Sequence, residues 1–213
     1  MSNDQVTPAE TSEILQLAET CLSVSGDFVE LGCYRGDTSV LLGKMLQNST
    51  KNCEYLVENL CKTLWIYDSF AGLPEKTTED SSGAGQNFQK GELLVTKREI
   101  VEKLRKHGLK ITNHPDPTVS SIIIKKAWFD ELQSTDLPDR IAFAFLDGDL
   151  YSSIKTSLQL VIPRLADQGI IIVHDYNNPE LPGSARAVDE FLRSHPEYHL
   201  TQKHTLAIIA HKC

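Results

Sequence analysis

Two carboxylates, Asp147 and Asp149, flank Gly148 at the end of the apolar run in "RIAFAFLDGDLYSS". Negative charges this close at the end of a buried-looking segment repel each other, so a metal ion, a ligand or water has to compensate them. A second apolar run, "GIIIVHDY" (169–176), closes on His174 and Asp175. If the two runs are adjacent parallel strands, their ends lie about 5 Å apart, and Asp147, His174 and Asp175 can share one cation. A hard divalent ion takes oxygen ligands such as carboxylates. Magnesium prefers oxygen, whereas manganese, iron, nickel or zinc also accept imidazole. His174 is equally suited to accepting a proton near neutral pH. Asp149 is a second candidate base; a plain N-cap of the following helix is its structural alternative, with Ser152 and Ser153 competing for that place.

A third group of residues suggests a nucleoside-type ligand. In "VELGCYRGDTS", Glu30 ends a strand-like run and is followed by glycines at 32 and 36, which permit a tight turn and close backbone approach. The spacing is neither the G-x-G-x-x-G of dinucleotide folds nor a P-loop. Its value comes from its position between a strand and a helix. Asp68 ends the next run, "TLWIYDSF". An acid there either takes two ribose hydroxyls or caps the turn-rich "DSFAGLP" that follows.

These residues need elements to place them. Strand-like runs fall at 26–33, 63–70, 120–129, 140–147 and 169–176, separated by helical patterns at 37–48, 97–108, 152–165 and 184–195. Alternation of this kind implies a parallel sheet with helices on both faces, and "IAFAF" and "IIIV" are apolar throughout, as doubly covered strands should be. Residues 199–212 read as a closing strand pair, hence an antiparallel edge. The expectation is one doubly wound α/β domain over residues 1–213, with ligands at the carboxyl ends of its strands. The polar stretch 74–92 follows a strand end directly, and a lid over 71–96 is expected there; a surface loop without a role is the alternative.

Composition excludes several partners. Hydrophobic residues make up 40% and charged residues 23% of the 213, and the formal net charge is −8. Without a basic footprint, neither nucleic acid nor an anionic membrane is expected. No run approaches ~18 apolar residues, so no membrane span is expected. The polar start lacks a secretory pattern, and five cysteines without zinc spacing point to reduced thiols in a cytoplasmic protein. A Cys53–Cys61 pair is the minor alternative. The sequence leaves room for a homo-oligomer.

"GDFVELGCYRGDTSVLL", "YDSFAGLPE", "FLDGDLYSSIKTSLQLVIPRL", "GIIIVHDYNN" and "ARAVDEF" together resemble the macrocin O-methyltransferase family of class I S-adenosylmethionine-dependent methyltransferases. The blocks run in family order from about residue 26 to 191. The resemblance implies a Rossmann-like, mostly parallel seven-stranded sheet with an antiparallel last strand. It implies that Glu30, Gly32, Tyr34, Gly36 and Ser39 surround the methionine part of S-adenosyl-L-methionine. Asp68, with Ser69 beside it, would hold the ribose, Trp128 and Phe129 would lie near the adenine, and Asp147 would border the cofactor. It further implies a divalent metal, Mg²⁺ or a transition metal such as Mn²⁺, on Asp147, His174 and Asp175. Related members usually carry Asp-Asp where this chain has His174-Asp175. Either the metal differs, or His174 acts as a base, or activation is purely acid–base.

The activity so implied is methyl transfer to a hydroxyl of a small molecule, such as a natural-product sugar. Asp149 and His174 are the candidate bases, because the lysine that catechol enzymes carry three residues after the first acid is Leu150 here. Tyr176, Asn177 and Asn178 can line the acceptor pocket. Arg186 either holds an acceptor or pairs with Asp189 or Glu190, and Arg35, His204 and His211 have surface or structural readings. A cofactor-binding protein without turnover is the competing class, and a nicotinamide oxidoreductase is disfavoured by the missing glycine motif.

Overall fold

The computed structural model describes residues 6–51, 61–81 and 88–212. Among the described residues the α-helices are α1 (Pro8–Thr20), α2 (Asp37–Lys51), α3 (Lys97–Lys106), α4 (Tyr151–Val161) and α5 (Pro182–Ser194). Seven strands are β1 (Asp27–Leu31), β2 (Thr63–Asp68), β3 (Ser121–Lys126), β4 (Ile141–Leu146), β5 (Leu165–Val173), β6 (Tyr198–Lys203) and β7 (Leu206–His211). They form one sheet in the order β3-β2-β1-β4-β5-β7-β6. All pairings are parallel as far as β5; β7 then runs antiparallel between β5 and β6.

Side-chain alternation explains why both faces are covered. Phe28, Leu64, Ile66, Ile122, Phe143, Phe145 and Ile172 point to the face covered by Ile14 and Ala18 of α1, Leu42 and Leu46 of α2, and Ile100 and Leu104 of α3. Val29, Leu31, Ala144, Leu146, Ile171 and Val173 point to the other, against Ile154, Leu158 and Val161 of α4 and Ala187 and Val188 of α5. Every residue of β4 is buried, as its unbroken apolar run requires. The connections from β1 lead outward through β2 and β3 on one side and through β4 and β5 on the other. The order therefore reverses between β1 and β4, where ligands bind in open α/β sheets.

Some boundaries differ from the sequence reading. The third strand stops at Lys126, so Trp128 and Phe129 lie beyond it, at the start of a short 3₁₀ turn. Pro163 falls in a 3₁₀ turn that ends the α4 segment, and β5 begins at Leu165, earlier than its apolar core. Helix α1 had no counterpart in the pattern of strands and helices. Its start is nonetheless written in Thr7-Pro8-Ala9-Glu10: the Thr7 hydroxyl accepts from Glu10 N–H, the Glu10 carboxylate accepts from Thr7 N–H, and proline occupies the first turn. Cys21, Cys33 and Cys61 are free thiols; Cys53, and with it the proposed pair, lies outside the described residues.

Candidate active site

The carboxyl ends of the central strands carry a cluster of left-handed residues. Gly32, Tyr34 and Gly36 follow β1, Phe70 follows β2, Asp149 follows β4, and Asp175 follows β5, all with positive φ. Such conformations are uncommon outside glycine and concentrate where function over-determines the backbone. At Gly32 the demand is also steric, since a Cβ there would sit 2.0 Å from the backbone oxygen of Asp147.

An open cleft lies above these ends, where ligands bind in open α/β sheets. Of the sequence-predicted residues, Gly32, Tyr34, Asp68, Ser69, Trp128, Phe129, Asp147 and Asp149 line it. Glu30, Gly36, Ser39, His174 and Asp175 do not line it. Glu30 and Ser39 are fully buried, with the Ser39 hydroxyl donating to Glu30 Oε2, while Glu30 Oε1 has no hydrogen-bond partner. Burial, reinforced by the charges of Asp147 and Asp68 and opposed by the Ser39 hydrogen bond, pushes the Glu30 carboxyl up to about 8.

Asp68 does cap turns, and it does so twice. Oδ1 accepts from Phe70 N–H at 2.7 Å and Oδ2 from Cys33 N–H at 2.9 Å. One carboxylate thus ties the β1 and β2 turns together while still facing the cleft. The Ser69 hydroxyl donates to the carbonyl of Gly72 and accepts from Ala71 N–H, closing the same turn. Trp128 and Phe129 are half-buried and form an aromatic wall.

Asp149 is not the cap of α4. Leu150 occupies the N-cap position without a side-chain bond, and the first helical N–H, of Tyr151, is accepted at 2.7 Å by Asp80, a buried residue of the 74–92 stretch. Asp149 is left buried at φ 60 with Oδ1 unpartnered. Burial first, then the charges of Asp147 and Asp175, raise its proton affinity well above that of an ordinary carboxyl, with His174 opposing.

Beneath the cleft, His174 Nδ1 lies 3.0 Å from Asp147 Oδ1 and 3.0 Å from Asp175 Oδ2. One ligand atom from each of the three residues falls within 4.8 Å of the others. Asn178 donates to Asp175 Oδ1 at 2.8 Å and holds that carboxylate. Two carboxylate oxygens and one imidazole nitrogen grouped this closely are a donor set that a divalent transition ion accepts. Burial disfavours the imidazolium, but Asp147, through its charge and contact, outweighs it together with Asp175 and Glu10, so His174 titrates well above its ordinary value.

Glu10 and Asp80 are the residues the sequence reading did not single out. Both are buried acids at the third helical position of a capping box, a local signal that hides their long-range contacts. Arg186 donates to the carbonyl of Glu79 rather than pairing with Asp189 or Glu190, holding the same loop. Tyr176 donates to Asp189, and Asn177 is exposed. Arg35 is exposed over the Tyr34 ring. His204 sits exposed at the β6–β7 turn, and His211 packs on Tyr198 at 4.3 Å between ring centres.

Sheet order, the antiparallel β7 and a cleft at the β1/β4 reversal define a Rossmann-like class I methyltransferase fold. The solved O-methyltransferase NovP superposes with a TM-score of 0.72 at 24% identity, covering 95% of this chain and 78% of that one. The chain belongs to the macrocin-O-methyltransferase (TylF) family, whose model matches residues 13–202. Among its relatives is 8-demethyl-8-(2,3-dimethoxy-alpha-L-rhamnosyl)-tetracenomycin-C 4'-O-methyltransferase of Streptomyces olivaceus, 29% identical over 164 residues that cover 74% of this chain. Another is demethyldecarbamoylnovobiocin O-methyltransferase of Streptomyces niveus, 28% identical over 172 residues, covering 79% of this chain. The matches span 56% and 59% of those two relatives' lengths. Among the described residues, no helix is long and apolar enough to cross a membrane.

Proposed function

We propose that this chain is an S-adenosylmethionine-dependent O-methyltransferase acting on a hydroxyl of a small molecule, in keeping with its relatives a sugar of a natural product. The observation that carries the reading is Asp149, a buried carboxylate held at positive φ in the cleft wall with one oxygen free of protein partners. When bound, S-adenosylmethionine supplies an electrophilic methyl group on a sulfonium. Asp68 has lone pairs left for the ribose hydroxyls, with Ser69 fixing the turn beside it. Trp128 and Phe129 offer the apolar wall that an adenine requires. The Gly32–Tyr34–Gly36 turn, backed by Ser39, surrounds the methionine part, and the unpartnered oxygen of Glu30 offers an acceptor to its ammonium.

Asp149 takes the proton of the acceptor hydroxyl, a role to which a carboxyl of raised proton affinity is matched. Asp147, His174 and Asp175 would hold a divalent cation, which would lower the pKa of a hydroxyl and fix its position. Leu73, Pro74 and Leu93 bring apolar surface from the loop that covers the cleft as a lid. Free thiols are in keeping with a cytoplasmic setting.

The test combines calorimetry with S-adenosylmethionine and a mass-spectrometric screen of rhamnosylated and other hydroxyl acceptors. Binding and methylated product are expected. Asp149→Asn should lower kcat by about 10²–10⁴ while leaving cofactor affinity within about twofold. Cofactor binding without product from any acceptor would mark a binding protein, and a wild-type rate in Asp149→Asn would remove the base assignment.

A further inference from the structure

The ring of His174 has two nitrogens and only one of them reaches the carboxylate pair. Nδ1 is 3.0 Å from both Asp147 and Asp175. Nε2, on the other side of the ring, is buried and has no hydrogen-bond partner. The nearest charged group there is Glu10 Oε2, 3.8 Å away, and both side chains are 3% exposed. Water cannot easily relieve this contact. A ring nitrogen that is to ligate a cation must present its lone pair, so the remaining hydrogen must sit on the other nitrogen. A lone pair on Nε2 would face a buried carboxylate, whereas an N–H there is attracted to it.

Glu10 is itself held rigidly. Oε2 accepts from Thr7 N–H at 2.9 Å and from the Thr7 hydroxyl at 2.7 Å. Oε1 accepts from Thr205 N–H at 3.2 Å and from the Thr205 hydroxyl, in the β6–β7 turn. The carbonyl of Thr205 in turn accepts from Tyr176 N–H at 2.7 Å, the residue next to Asp175. Glu10 therefore does more than cap α1. Four donors aim its carboxylate at the back of the imidazole, from an element that contributes nothing else to the cleft.

We propose that Glu10 is a positioning residue: it fixes the hydrogen of His174 on Nε2 and so presents Nδ1, with Asp147 and Asp175, as the nitrogen ligand of a divalent cation that accepts imidazole. The inference rests on the reading of these three residues as a cation site. Carboxylates placed behind metal-binding histidines act in this way, and their loss weakens metal affinity about 10–100-fold.

Mn²⁺ binding to the purified protein, followed by electron paramagnetic resonance, tests it without any assay of turnover. Glu10→Gln keeps an acceptor for Thr7, and circular dichroism checks that it folds. Its Mn²⁺ affinity should fall 10–100-fold. The same substitution in a His174→Asp background, where no ring needs orienting, should bring no loss. Thr7→Ala, which removes one of the four donors and leaves the Glu10 carboxylate held by the other three, should lose much less Mn²⁺ affinity than Glu10→Gln. Equal affinity in Glu10→Gln and the parent would overturn the inference alone, as would an equal loss in both backgrounds or a matching loss in Thr7→Ala. A parent protein that binds no Mn²⁺ would overturn the cation-site reading and this inference with it.

Discussion

At the scale of single residues, the site is built from acids in different environments. Asp68 has both oxygens occupied by backbone N–H groups, whereas Glu30 and Asp149 each keep one buried oxygen without a partner. Glu30 makes a pH prediction. Its carboxyl rises from an ordinary 4.5 to about 8 on folding, so the folded chain holds this proton more tightly than the unfolded one. The contribution of Glu30 to stability is then greatest below about pH 4.5 and declines as pH climbs toward 8, by an amount on the order of a few kcal/mol. Glu30→Gln removes the titration while keeping a group that the Ser39 hydroxyl can donate to. Denaturant unfolding of the ligand-free protein at pH 5 and pH 8 should show a smaller loss for the variant than for the parent. Equal losses would mean that Glu30 ionises as freely in the fold as outside it.

At the scale of elements, the loop after β2 is stitched to the helices beyond it. Leu73 and Glu92 pair across its neck, with Gly91 N–H donating to Leu73. Asp80 caps α4, and Arg186 of α5 donates to Glu79. Asp80→Ala should cost about 0.5–2 kcal/mol through the lost cap, and should speed hydrogen exchange of the Tyr151 amide and proteolysis within 74–92. Exchange at the parent rate would show that the loop is held by its neck alone. The same elements show what local pattern can and cannot reveal. Strands β4 and β5 were legible because burial on both faces leaves unbroken apolar runs. Residues 147, 174 and 175 followed, since each sits just past such a run. The role of Asp80 was not legible, because the cap of α4 arrives from 71 residues away; Asp149, a candidate base with capping as its alternative reading, is not that cap. Helix α1 carried a capping box whose acid also serves a distant turn, and nothing local announces that second task.

At the scale of the whole molecule, the cleft is lined by the turns that follow β1, β2, β3 and β4, by α4 and by the loop after β2, while α1 supplies Glu10 behind His174. Ligand binding should therefore stabilise the fold as a unit. S-adenosylmethionine at 100 times its Kd should add about 2.7 kcal/mol, a rise in Tm of roughly 5–10 °C for a chain of this size. A scan that does not move with saturating cofactor would argue against binding to the folded state. The bond between Glu10 and Thr205 joins residues 195 positions apart. On a ribosome adding about 5–20 residues per second, roughly 10–40 s separate the synthesis of these two partners. Asp147, His174 and Asp175 are made within that interval, while Glu10 still lacks its Thr205 partner. On the proposed reading, the three candidate ligands are aligned only once Thr205 has been made and has folded back onto Glu10.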